Sequence, residues 1–162
     1  MPKHRALPPL AELQEFFDYD PLTGLLVWKK SLNARAPVGA QAGTIDAYGY
    51  LIVGFKGHTY KVHRIAYYLG SCIDPKDLTI DHINRDKSDN RLANLRLATR
   101  LQQMMNREAK GYTWSKSRNK WQAGIRVNGK LKYLGRFNTK EEAAAAYEKA
   151  ATLYFKQFAP IK

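Results

Sequence analysis

Residues 79–106, TIDHINRDKSDNRLANLRLATRLQQMMN, constrain the fold more than any other stretch of the chain. Leu78 to Ile80 is a brief apolar run that delivers Asp81 and His82 at a strand end. The ten residues that follow, INRDKSDNRL, are polar and turn-forming and read as a loop. Asn94 to Ala98 alternates as a second short strand with Leu95 and Leu97 on one face. Thr99 then suits the cap of a helix over Leu101, Gln102, Gln103, Met105 and Asn106. Strand, loop, strand and helix within so short a span make a compact scaffold that can bring the first strand's end close to the last helix.

That scaffold carries an acid beside a base, followed by neutral oxygen ligands. Phosphodiester hydrolysis requires a nucleophilic water, relief of charge building on the phosphate, and stabilisation of the departing oxygen, and one divalent cation can supply the last two. Magnesium and manganese prefer oxygen donors, which makes Asp81 and a side-chain amide suitable protein ligands. His82, with an ordinary imidazole pKa of about 6.5, can take the water's proton near neutral pH. Asn90 or Asn94 can hold the ring or the loop in place. The plainer reading is that these Asp and Asn residues are ordinary turn and cap positions.

Upstream, residues 7–17 read as a short helix with Leu10, Leu13, Phe16 and Phe17 at helical spacing, forming a core face. Pro21 and Gly24 mark a turn before a strand at Leu25 to Trp28, and 33–43 reads as loop. Tyr48 to Phe55 and Thr59 to Val62 form a hairpin around Gly57, and His63 to Leu69 a short helix. His63, at the end of that strand, is either a buried core histidine or a group near a phosphate. The single cysteine, Cys72, excludes an intramolecular disulfide and reads as a partly buried thiol.

A different pattern begins after Lys110-Gly111, a natural linker. Trp121, Ala123 and Ile125 alternate with Gln122, Gly124 and Arg126, Asn128-Gly129 signals a hairpin, and Leu131 to Leu134 is the partner strand. Thr139 and Glu142 form a capping box for a helix whose packed face is Ala143, Ala146, Tyr147, Ala150 and Tyr154. Net charge rises from +1 over residues 1–60 to +4 over 61–110 and +8 over 111–162. A basic excess with interleaved aromatics fits a polyanion, because neutralised phosphates release counterions. No run approaches the ~20 apolar residues of a membrane span, and the N-terminus has no signal-peptide core. A soluble, cytoplasmic protein is expected.

Residues 10–107 resemble phage and intron-encoded HNH homing endonucleases. The resemblance is carried by Tyr19 to Gly24 (YDPLTG), His63-Arg64, Asp81-His82, Asn90, and Asn94 to Thr99 (NLRLAT), in order and at similar spacing. It implies a ββα-metal fold in which Asp81 binds one Mg²⁺ or Mn²⁺ ion, His82 is the general base, and Asn94 supports the loop or the histidine. The family's second protein ligand is an asparagine on the helix, and Gln103 takes that position here. Glutamine presents the same oxygen on a stem one methylene longer, while metal–oxygen distances are fixed near ~2.1 Å.

Residues 111–159 resemble the DNA-binding domain of the APETALA2 and ethylene-response-factor type, through GYTWSKSRNKWQAGI, Tyr133 to Phe137 and Thr139 to Tyr147. That resemblance implies a three-stranded antiparallel sheet packed on one helix, with the sheet entering the major groove of double-stranded DNA. The matching contact positions are Thr113, Ser115, Gly124, Arg126 and Tyr133, with Arg126 the best reader of a base edge. Lys116, Arg118, Lys120 and Lys132 are expected to meet phosphates. The chain is thus expected to be an α+β protein of two modules, 1–108 and 111–162. It would be a monomeric, strand-nicking, metal-dependent DNA endonuclease with no obligate protein partner, acting in the cytoplasm of a phage-infected bacterium. A catalytically impaired HNH-derived sequence-specific DNA-binding protein is the alternative.

Overall fold

The computed structural model describes residues 5–34, 36–106 and 109–159. The chain divides into two compact units, Met1–Arg100 and Leu101–Lys162.

In the first unit, helix α1 (Leu10–Phe16) runs directly into strand β1 (Phe17–Tyr19), which pairs antiparallel with β2 (Leu26–Trp28), Phe17 opposite Trp28. A second sheet has the order β3 (Thr44–Ile45), β4 (Leu51–Phe55), β5 (His58–Lys61), the last two joined as the hairpin expected around Gly57. These strands share one aromatic core: Phe17 lies 4.6 Å from Trp28 and 5.3 Å from Phe55, ring centre to ring centre, with Leu13, Leu26 and Ile65 fully enclosed around them. Burial of such side chains stabilises a fold by roughly 1.5–3 kcal/mol each.

Helix α2 (Val62–Ser71) starts on the residue after β5, with no connecting loop. His63 and Arg64 therefore occupy its first turn, within the helix expected from His63 to Leu69, and both are buried. Arg64 donates Nη1 to the Leu78 carbonyl at 2.7 Å and Nη2 to the Lys76 carbonyl at 2.6 Å, pinning the lead-in to β6 (Thr79–His82). Antiparallel to β6 runs β7 (Leu95–Ala98), after a 3₁₀ turn at Leu92–Asn94. Ala66 of α2 packs with Ile80 and Leu95, so the helix supports the β6–β7 ladder from beneath. Cys72 ends α2 in the left-handed region at φ 58° and is exposed, a correction to the half-buried thiol expected.

Helix α3 (Arg100–Met105) follows β7. In the second unit β8 (Tyr112–Ser115), β9 (Lys120–Val127) and β10 (Lys130–Phe137) form an antiparallel sheet with β9 central, and α4 (Lys140–Phe155) lies against it. The capping box is formed: Glu142 N donates to Thr139 Oγ1 at 3.2 Å, and Thr139 N to Glu142 Oε2 at 3.2 Å. The buried stripe of α4 is Ala143, Tyr147, Ala150, Ala151 and Phe155, drifting off the expected Ala146 and Tyr154 because 3.6 residues per turn rotates the face along a long helix. Tyr147 lies over Gly111, at φ +67°, where any Cβ would stand 1.9 Å from its ring. Among the described residues no helix is long and apolar enough to cross a membrane.

Candidate active site

The β6–β7 register places Asp81 opposite Arg96 and His82 opposite Leu95. Asp81 is buried, and its Oδ2 accepts from Arg96 Nε at 2.9 Å and Nη2 at 2.7 Å. Arg96 belongs to the quoted NLRLAT run but has no role on sequence grounds alone, since only strand pairing reveals its partner. Such a charge pair, largely removed from water, holds its carboxylate firmly in place.

His82 is also buried, and its Nε2 lies 3.2 Å from Asn90 Oδ1. An amide oxygen can only accept, so Nε2 carries the ring proton and the lone pair sits on Nδ1. Burial pushes the imidazole below its ordinary pKa, while the Asn90 hydrogen bond and the carboxylates of Asp81, Asp86 and Asp89 oppose that shift. Two further rings flank it: His63 meets His82 edge-to-face at 5.0 Å, and Tyr50 stands 6.1 Å away. His63 is thus packed in the interior of the site's wall, which agrees with the core reading of that residue.

The loop between the two strands is braced by Asn94. Its Oδ1 accepts from Asn84 N at 2.9 Å, its Nδ2 donates to the Asp89 carbonyl at 2.8 Å, and its own carbonyl accepts from Ile83 N at 2.9 Å. Asp89 adds a carboxylate hub, receiving Asn84 Nδ2 at 2.7 Å and Arg91 Nε at 2.8 Å. The Arg91 contact holds the Asp89 carboxyl down at a pKa of about 2. Of the two asparagines, Asn90 therefore touches the histidine and Asn94 the loop.

A hard divalent ion fits the donor chemistry of Asp81. Among the described residues no three His, Cys, Asp or Glu side chains gather, so an ion here would rest on few protein ligands, as magnesium does when it keeps water and substrate oxygens. Gln103 lies half-buried on α3, in the part of that helix that belongs to the second unit.

In the second unit, residues directly opposite one another share a face. Ser115 pairs with Lys120, Thr113 with Gln122, Gly124 with Tyr133, and Arg126 with Leu131, all on the side away from α4. The sequence-selected Thr113, Ser115, Lys120, Gly124, Arg126 and Tyr133 thus share one face. Arg126 Nη1 donates to the Gly129 carbonyl at 2.9 Å, and Lys116 and Arg118 are exposed in the β8–β9 turn. Lys132 does not join them: it sits on the helix side, its Nζ 4.5 Å from the centre of the Tyr154 ring. The residue that sequence reading passed over is Arg136. A bulge between Tyr133 and Gly135 leaves Leu134 unpaired and brings Arg136 opposite Gln122, on the exposed face, with its guanidinium 5.9 Å from the Tyr133 ring centre.

Among curated proteins, this chain is 34% identical over 88 residues to an uncharacterised HNH endonuclease of Acanthamoeba polyphaga mimivirus, covering 52% of this chain and 47% of the relative. The chain thus spans about half the length of that relative. A solved structure concerned with DNA binding and cleavage by the HNH homing endonuclease I-HmuI aligns with 78% of this chain and 75% of its own, at 19% identity and a TM-score of 0.46. Residues 60–105, from β5 to the end of α3 and including Asp81, His82, Asn90 and Asn94, match the model of the HNH endonuclease family.

Proposed function

We propose that the chain is a metal-dependent DNA endonuclease that nicks one strand, with residues 111–162 directing it to its site. The observation that carries this reading is a buried Asp81-His82 pair at the end of β6, with Asn90 fixing the imidazole, inside the segment that matches the HNH family.

His82 Nδ1 accepts a proton from water as the water oxygen bonds to phosphorus. The phosphorus–oxygen bond to the departing strand breaks, and the departing oxygen takes a proton from solvent. Arg96 holds the Asp81 carboxylate in place, and Asn94 holds the loop that carries Asn90. A magnesium or manganese ion held by Asp81 would relieve charge on the phosphate and the departing oxygen. The face containing Arg126, Tyr133 and Arg136 supplies cations and an aromatic ring for duplex DNA.

Two observations favour a second reading, a DNA-binding protein with an impaired nuclease site. Arg96 neutralises the carboxylate that a metal would need, and Gln103 stands where the resembled family has asparagine. Nicking of supercoiled plasmid, with and without Mg²⁺ or Mn²⁺, separates the readings. The nuclease reading expects metal-dependent conversion to open circles, abolished in His82→Ala with DNA affinity retained. Undiminished cleavage by His82→Ala would remove the assigned base, and a strong gain of nicking in Gln103→Asn over an inactive parent would establish the second reading.

A further inference from the structure

Contacts from one N-terminal turn converge on the backbone that carries Asn90. Tyr19 Oη donates to the Asn90 carbonyl at 2.8 Å. Leu92 N donates to the Pro21 carbonyl at 3.0 Å. Gly24, at φ +77°, approaches so closely that a Cβ there would stand 2.6 Å from Asn90 C and 2.5 Å from Arg91 N. The turn is itself braced: Asp20 accepts from Leu22 N at 2.9 Å and Thr23 Oγ1 at 2.7 Å, and Gly24 N donates to the Asp20 carbonyl at 2.8 Å. From the other side, α2 closes on the same group, since a Cβ on Gly70 would meet the Tyr19 ring at 2.9 Å and the Leu92 side chain at 3.0 Å.

The Asn90 side chain needs such outside support. It is 1% exposed, its Oδ1 faces His82 Nε2, and its Nδ2 is buried with no hydrogen-bond partner among the described residues. No second polar contact therefore fixes the amide, and its aim depends on packing and on where the backbone is held. The holders are Tyr19, Pro21 and Gly24, more than sixty residues away in the chain.

We propose that the Tyr19–Gly24 turn is a positioning element for His82: by anchoring the Asn90 backbone it aims the amide oxygen at Nε2 and selects the tautomer that leaves Nδ1 as acceptor. Tyr19 and Gly24 are positioning residues in this scheme, since neither touches the reacting atoms. Its effect on turnover rests on the nuclease reading, whereas the imidazole tautomer is readable without turnover.

The test uses the full chain with Tyr19→Phe, which deletes only the hydroxyl, and Gly24→Ala, which forces a Cβ into the Asn90-Arg91 backbone. Long-range proton–nitrogen spectra at pH 8, assigned with His82→Ala, should show His82 of the parent as the Nε2–H tautomer. Tyr19→Phe should display a mixture. Plasmid nicking by Tyr19→Phe should lose about tenfold in kcat with KM unchanged, the scale typical of partners that orient a site histidine. A pure Nε2–H tautomer in a folded Tyr19→Phe protein would overturn the proposal, as would a change confined to KM. If Gly24→Ala does not fold, Tyr19→Phe decides alone. If the parent nicks nothing with any metal, the nuclease reading fails and the tautomer still decides the positioning role.

Discussion

Arg96 faces Asp81 across the β6–β7 ladder and directs two nitrogens at one carboxylate oxygen, Nε at 2.9 Å and Nη2 at 2.7 Å. The contact holds the aspartate in place, and it also places a positive charge where a divalent cation would bind. Replacing Arg96 by Met should therefore have two effects of opposite sign. The metal-free protein should lose about 3–5 kcal/mol of stability, the usual result of leaving one member of a buried ion pair behind. Added Mn²⁺ should then raise the melting temperature more in the variant than in the parent. Thermal scans with and without Mn²⁺ check both, and an equal metal response in the two proteins would show that Arg96 does not oppose binding.

Asn94→Ala should loosen the loop without unfolding the unit. Two side-chain hydrogen bonds, to Asn84 N and the Asp89 carbonyl, disappear, and each contributes on the order of 1 kcal/mol. Hydrogen exchange at the Asn84 amide should accelerate by roughly tenfold or more, while the amides of β4 keep their protection.

The loop should also respond to acid. Arg91 lowers the Asp89 carboxyl to about 2 in the folded chain, against an ordinary value of about 3.9. A depressed folded-state pKa contributes stability that is complete above the ordinary value and is lost as pH falls toward the folded one. Protection of the Asn84 and Arg91 amides should hold down to about pH 4 and decline toward about pH 2. The Asp89 side chain is mostly covered while its partner Arg91 is exposed, and Asp89→Asn should abolish the pH dependence in that window.

On the second unit, Arg136→Ala and Lys132→Ala should part company. Arg136 shares the exposed face with Arg126, so its loss should weaken duplex DNA binding and reduce the salt slope by about one contact's worth. Lys132 is engaged with Tyr154 on the helix side and should change affinity little. Arg126→Ala should relax base preference by about 1–3 kcal/mol at one position if it reads a guanine edge. Titrations against labelled duplexes at several salt concentrations distinguish the three.

The β6–loop–β7 order and the four site residues were legible because polarity and turn chemistry are local properties of the chain. The assignment of Asn90 to the ring and Asn94 to the loop was not, since both amides offer the same groups and only the folded loop chooses between them. Arg96 was hidden for another reason: alternation gives a strand's face but not which residue of a partner strand lies opposite. The boundary moved by one residue, Val62 opening α2 where the end of the strand was expected, because β5 passes into α2 without any Gly or Pro to mark it. Lys132 faces the helix by plain alternation with Tyr133, whereas Arg136 joins the Tyr133 face only through the unpaired Leu134, which alternation cannot anticipate.

That unpaired residue, Leu134, sets the phase of β10. Before it, even-numbered Lys132 points to the helix and Tyr133 away; after it, even-numbered Arg136 points away and Phe137 pairs with Trp121 on the helix side. Deleting Leu134 would restore plain alternation from Tyr133 to Gly135 and leave the arginine outside and the phenylalanine on the helix side. The strand can therefore lose one residue at this point without exchanging the faces of the half that follows, whereas the paired residues on either side have no such freedom.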